Sequence, residues 1–239
     1  MDAEPVSLDR RHRRRQETIT EVLDIAAEIM AEQGVAGLSV GEVARRMGIR
    51  PPSLYVYFPS KHALYDALFA RGAQMVLDHV RADIESVDWD AAAESGPIDG
   101  LEEVLLRAAE VFVGWSIEHP AYTQLLFWRP VPGFTPSAEA YAPAIEMVEF
   151  ARARFTILQE RGLIRADVGV ADVQRDWTVL LSGVISQQLS NAPDEPFAAG
   201  RFTAALPGLV AMFAHHYGAA TRTPSSTKTT KESRHVRTR

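Results

Sequence analysis

The side chains of this chain best suited to polar chemistry crowd into its first quarter. Residues 10–15 read Arg-Arg-His-Arg-Arg-Arg, five guanidiniums in six positions. Residues 50–61 carry Arg50, Ser53, Tyr55, Tyr57 and Lys61, separated by Pro51, Pro52, Leu54, Val56, Phe58 and Pro59. These groups suit the binding of a polyanion better than bond breaking. Arginine and lysine neutralise phosphates and release counterions, and tyrosine hydroxyls donate to phosphate oxygens. Arg50 could pair bidentately with guanine or simply hold a phosphate. Ser53 reaches several base edges and alone specifies little. Val56, Pro51 and Pro52 offer apolar contact to thymine methyls. The plainer readings are a solvated basic helix end for Arg14, Arg15 and their neighbours, half-buried packing for the tyrosines, and a solvated lysine at 61.

Something must present these residues together, and the surrounding spacing predicts what. Ser39 followed by Glu42 is a capping box, which starts a helix. Val40, Val43, Ala44 and Met47 keep helical spacing. Gly48 stops that helix, because glycine enters the left-handed region without steric cost. Pro51 or Pro52 opens a second, short helix over residues 51–58, where a missing N–H costs nothing. Leu54 and Phe58 share its inner face, and Ser60 can cap the helix after it. Before this pair, residues 18–33 place Ile19, Val22, Leu23, Ala26, Ile29 and Met30 on one face, and Gly34 closes them. Three helices with a glycine turn make a helix-turn-helix head, whose last helix enters the DNA major groove.

The segment Gly-Ile-Arg-Pro-Pro-Ser-Leu-Tyr-Val-Tyr-Phe-Pro-Ser-Lys, residues 48–61, resembles the recognition segment of TetR-type transcriptional regulators. The Leu-Tyr-x-Tyr-Phe-x-x-Lys portion is the specific part, and the resemblance covers residues 18–69. It implies that the first helix braces the other two, that its start and Lys61 contact the DNA backbone, and that the remaining chain senses a ligand. The chain departs from the family pattern at Arg50, where a small capping residue is common, and at the paired prolines. Fewer polar side chains are then left to read bases.

The rest of the chain reads as helices only. Residues 63–84 form one long helix through Leu64, Leu68, Phe69, Val76, Leu77, Val80 and Ile84. Residues 86–99 read as a loop. Further helices fall at 101–118, 121–128, 138–161, 170–190 and 197–217, with His119-Pro120 and the proline-rich residues 129–136 as breaks. The fold class is all-α: a three-helix head joined by a long helix to a helical ligand-binding and dimerisation domain. The boundaries are a basic arm over 1–17, the head over 18–62, the larger domain over 63–219 and a disordered basic tail over 220–239.

Aromatic and apolar side chains on several of these helices are candidates to converge on a ligand: Phe112, Trp115, Tyr122, Phe127, Trp128, Met147, Phe150 and Trp177. His119, Gln124 and Gln187 are its candidate polar groups. Such pockets are mainly apolar with few polar groups, although aromatics at helical spacing also build ordinary cores. Ser182, Gly183 and Ser186 form a small-residue stripe, and Leu209 and Phe213 lie on the helix opposite. Neither helix has a polar face all along it, so a homodimer interface is expected there. Two heads are what a palindromic operator requires.

Composition narrows the function classes. The net charge of −6 hides a division: residues 1–62 are neutral, 63–221 carry −11 and 222–239 carry +5. DNA affinity follows the local basic face, not the total. There is no cysteine, no run of roughly 18 apolar residues and no signal-peptide pattern, which leads us to expect a cytoplasmic protein without membrane contact. No nucleophile-and-base set, phosphate-cradling glycine loop or metal-ligand spacing occurs, so neither enzyme activity, metal nor cofactor is expected. His215 and His216 are adjacent and face different ways on a helix. The leading expectation is a dimeric regulator, most simply a repressor, that binds a double-stranded operator and is released by a small hydrophobic effector. The competing readings are an activator of the same fold, a helical enzyme, or a helical module that binds a protein.

Overall fold

A computed structural model describes residues 5–220, with side chains from residue 10 onward. Among them ten α-helices account for the fold. The head comprises α1 (Pro5–Gln33), α2 (Val40–Arg46) and α3 (Pro51–Leu54). The long connector is α4 (Lys61–Ile84). The remainder is α5 (Trp89–Glu94), α6 (Pro97–Glu118), α7 (Pro120–Phe127), α8 (Ala138–Glu160), α9 (Val170–Asn191) and α10 (Leu206–Tyr217). The all-α expectation holds, with only a single bridge, Ile164 to Gly218, in extended pairing. That bridge ties the turn after α8 to the end of α10, helped by the Arg165 N–H donating to the Tyr217 carbonyl at 2.9 Å.

Local chemistry explains most boundaries. Gly34 and Gly48 take φ of 78° and 69°, the left-handed values that end α1 and α2. Ser60 caps α4, its hydroxyl accepting from the Ala63 N–H at 3.0 Å. His119 stands between two helices at φ −123°, and Pro120 starts the second. Pro143 sits inside α8 without ending it, forfeiting the single i−4 hydrogen bond to the Glu139 carbonyl.

Four expectations need correction. The basic arm over 1–17 is helical from Pro5 onward, because α1 continues through the arginines. The predicted loop over 86–99 contains α5, capped by the Asp88 carboxylate, which accepts from the Asp90 and Ala91 N–H groups at 3.1 Å. The third helix ends at Leu54 and continues only as turns to Tyr57. The last helix is not continuous from 197. It is two short 3₁₀ turns, 197–199 and 203–205, followed by α10. The buried Gln188 causes that break: its Oε1 accepts from the Phe202 N–H at 3.0 Å, which draws the chain inward around Gly200. The basic tail expected over 220–239 lies outside the described residues apart from Ala220.

The interior forms two clusters. One joins Val22, Ile29, Met30, Val43 and Leu54 of the head to Leu64, Tyr65 and Leu68 of α4, and then to Trp115, Tyr122 and Leu125. The other joins α5, α6, α8, α9 and α10 around Leu101, Val113, Leu158, Trp177 and Val210. The core of the head is therefore closed by α7, which comes from far along the chain. Tyr65 ties the same layer together, its buried hydroxyl donating to the Val35 carbonyl at 2.6 Å.

Candidate nucleic-acid interface and internal cavity

The turn after Gly48 turns α3 so that Leu54 and Phe58 enter the core, at 1% and 6% exposure. The opposite side of the segment is left to solvent. Arg50, Pro51, Pro52, Ser53, Tyr55 and Val56 are all exposed, and Tyr57 is half-buried. Arg14 and Arg15 are exposed on α1, and the Arg15 guanidinium lies 5.1 Å from the centre of the Tyr57 ring. The basic run of α1 and the short helix thus border one surface. Lys61 joins them at the start of α4, exposed, with its Nζ 3.3 Å from the Ala36 carbonyl. Ser39 is exposed at the N-cap of α2, but its side chain makes no capping bond.

The capping box fails because Glu42 is engaged elsewhere. Its carboxylate accepts from Arg45 at 2.7 and 2.8 Å and from Arg46 at 3.0 Å. Those two guanidiniums hold its carboxyl down to about 2. Arg46 also donates to Glu32, which locks α2 onto α1. The signal was legible in the spacing of Glu42 to Arg45 and Arg46, three and four residues on.

Behind α4 lies a cavity of about 310 Å³. Its walls come from α4 (Phe69, Val76, Val80, Ile84), α6 (Leu105, Phe112), the end of α7, α8 and α9. Of the residues proposed from sequence to meet a ligand, Phe112, Phe127, Trp128, Met147, Phe150 and Trp177 line it. Trp115, His119 and Tyr122 do not. The Trp115 and His119 rings stack on each other at 4.7 Å in the layer beneath the head. Tyr122 packs against Gly72 in that same layer, and its burial pushes the phenol upward. The break at Pro120 turns α7 toward α1, so its first turn serves the head and only its end reaches the cavity. Gln124 does not line the cavity either, and Gln187 is exposed and bonded to Asn191. The cavity's polar side chains include instead Tyr141, Arg154, Gln174, Thr178 and Ser182. Isolated polar residues on amphipathic helices look solvated in sequence, so nothing marked them.

Two polar ties connect α4 to α8. The Ser137 N–H and hydroxyl donate to Asp66 at 2.7 and 2.6 Å, and Arg81 donates to Glu146 at 2.8 Å. The expected dimer surface divides. Ser182 and Gly183 are exposed, Ser186 and Leu209 half-buried. Phe213 is buried, wedged between the Trp177 and Tyr217 rings at 5.1 and 4.7 Å, so it belongs to the core instead. Val179 and Met212 are the large apolar side chains open on these helices, at 67% and 70% exposure.

These features define a helix-turn-helix protein with a helical body that encloses a cavity. Residues 22–68 match the family described as bacterial regulatory proteins, tetR family. That match covers the helix-turn-helix head and the start of α4. It is 30% identical over 101 residues to the HTH-type transcriptional regulator YobS of Bacillus subtilis (strain 168), which is 42% of this chain and 47% of YobS. It is 27% identical over 176 residues to the HTH-type transcriptional regulator UidR of Escherichia coli (strain K12), 72% of this chain and 81% of UidR. The chain thus spans about half the length of YobS and most of UidR. The fold is shared with the crystal structure of the transcriptional regulator FadR from Bacillus subtilis in complex with stearoyl-CoA, at a TM-score of 0.57 and 15% identity, over 82% of this chain and 97% of that one. No helix among the described residues is long and apolar enough to cross a membrane.

Proposed function

We propose that this protein is a DNA-binding transcriptional regulator, acting as a homodimer on a palindromic operator, with an effector in the cavity lowering its affinity for DNA. In this reading it is a repressor released by a small molecule. The observation that carries the reading is the course of α4. One uninterrupted helix runs from the exposed Lys61 beside the recognition segment to Val80 and Ile84 in the cavity wall. At 24 residues it spans about 36 Å. An occupant that pushes α4 or α8 acts on the head through a rigid element, and the Asp66–Ser137 and Arg81–Glu146 ties make the two helices move together.

Each α3 with its following turn enters one major groove, with Arg50, Ser53 and Val56 toward base edges and Tyr55, Tyr57, Lys61, Arg14 and Arg15 toward phosphates. Release requires that the effector bind the non-DNA arrangement better than the DNA-bound one; equal affinity would shift nothing. A regulator of the same fold, FadR from Bacillus subtilis, was solved in complex with stearoyl-CoA, which is in keeping with a small-molecule effector here.

The test is selection of the purified protein from a random duplex library at two salt concentrations. Enrichment of a palindrome supports a dimeric sequence reader. Binding that enriches nothing and vanishes as salt rises would reduce the surface to nonspecific phosphate attraction and overturn the reading.

A further inference from the structure

Arg154 has no anionic partner. It lies on α8 in the cavity wall, its guanidinium carbon 4.3 Å from the centre of the Phe150 ring. Its Nε is buried and has no hydrogen-bond partner. Among the described residues it forms no ion pair. The polar groups nearby are already committed. Gln174 accepts from Arg152 Nε at 3.2 Å and donates to the Val148 carbonyl at 2.7 Å. Thr178 donates to the Gln174 carbonyl at 2.9 Å. Arg81, which faces the same Phe150 ring at 5.3 Å, is neutralised by Glu146. Apart from the Ser182 and Tyr141 hydroxyls, which carry no charge, the other lining side chains are mainly apolar, Met147, Ala151 and Leu181 among them.

A guanidinium cannot shed its proton, and a buried donor without an acceptor is costly. Its planar fork matches a carboxylate with two parallel hydrogen bonds. Arg154 as a whole is only half-buried, so its fork stands where the cavity meets solvent. From this arrangement we infer that the effector is an amphipathic monoanion, a carboxylic acid whose apolar body fills the cavity and whose carboxylate pairs with Arg154. One unpaired arginine balances one negative charge. A dianionic phosphate ester would bring a second charge to an otherwise apolar wall. The inference rests on the reading of the cavity as an effector site and adds the chemical class of the occupant.

The probes are decanoate and decanol, which share an apolar chain and differ in the charged head. Three of the four tryptophans, Trp89, Trp128 and Trp177, line the cavity, so intrinsic fluorescence of the full chain reports binding at pH 7.5. Decanoate is expected to bind ~10- to 100-fold more tightly than decanol, the range of a charge-assisted hydrogen bond. Arg154→Met keeps the stem and removes the head; it should abolish that preference, so that decanoate binds no more tightly than decanol. Arg154→Lys keeps the charge without the fork and should retain part of the preference, which also provides a readout if the Met variant does not fold. Equal binding of both probes by the native chain, or a preference that survives in Arg154→Met, would overturn the inference and leave the cavity as an apolar effector site. Binding of neither probe would remove the cavity reading and this inference together.

Discussion

The ring of Tyr122 rests on the bare Cα of Gly72: a β-carbon at that glycine would come within 2.5 Å of Tyr122 Cδ1. This contact packs α4 directly against α7, in the layer that closes the head. Gly72→Ala should gain about 1 kcal/mol of helix propensity but meet a buried ring that cannot swing aside. Overpacking of that kind costs about 1–3 kcal/mol, so we expect a lower melting temperature. A smaller side chain at 122 should relieve it, and the double variant Gly72→Ala/Tyr122→Leu should be more stable than the two single changes predict. Additive effects in that cycle would show that the two residues do not restrain each other.

The DNA surface makes a prediction in salt. Lys61→Ala and Tyr55→Phe should weaken binding to all duplexes alike, since both are assigned to phosphates. For Lys61→Ala the slope of log affinity against log salt should become shallower by about 1, the loss of one neutralised phosphate. Fluorescence anisotropy over a salt series measures it. A slope that does not move would leave Lys61 with its Ala36 carbonyl and Tyr65 ring contacts alone.

Much of the head was legible before any coordinates. Glycine, proline and apolar spacing locate α2 and the start of α3, and the burial of Leu54 and Phe58 follows from one shared helical face. The misses have a common origin. Periodicity says which side of a helix is buried, not which neighbour buries it. Trp115 and Tyr122 look like Phe127 and Trp128 in sequence, yet Trp115, near the end of α6, and Tyr122, in the first turn of α7, pack into the core of the head. Phe213 went astray in the same way, filling space beside Trp177 where an outward face was expected. The helical arginines of α1 carry no apolar stripe at all. Arg154 and Gln174 look like solvated residues until the helices around them are assembled.

Acid should act most strongly through Glu42. Its carboxyl is held down to about 2 by hydrogen bonds from Arg45 and Arg46, against 4.5 for the free group. A depressed folded value means the contribution to stability is complete above about 4.5 and is lost as pH falls toward 2. Glu32, Asp83 and Asp176 are lowered as well, mainly by hydrogen bonds from Arg46, Arg107 and Tyr217 respectively, and add to the same limb. Thermal melts from pH 7 to pH 2 should show stability falling through this window. Glu42→Gln should melt lower at pH 7 and lose less on acidification. If its acid limb matches that of the native chain, the Glu42 network does not contribute to folding.

Assembly can be separated from core packing on the same pair of helices. Val179 on α9 and Met212 on α10 are large, apolar and open to water, beside the small side chains of Ser182 and Gly183. Small residues let two helices approach closely, and the exposed apolar pair would be covered by the same elements of a second copy in an isologous contact. Val179→Asp/Met212→Asp places a charge on each side of that contact, where pairing would strip it of water. Light scattering should then report one 26.4 kDa chain instead of two, and operator affinity should fall because half-sites are no longer bound together. The monomer itself should melt nearly as before, since both positions are exposed. Phe213→Ala is the contrasting variant: buried between Trp177 and Tyr217, it should cost about 3–5 kcal/mol of stability. A double aspartate variant that remains a dimer would move the interface to another apolar surface, of which Tyr141, Ile145 and Val148 on α8 are the most open outside the recognition segment.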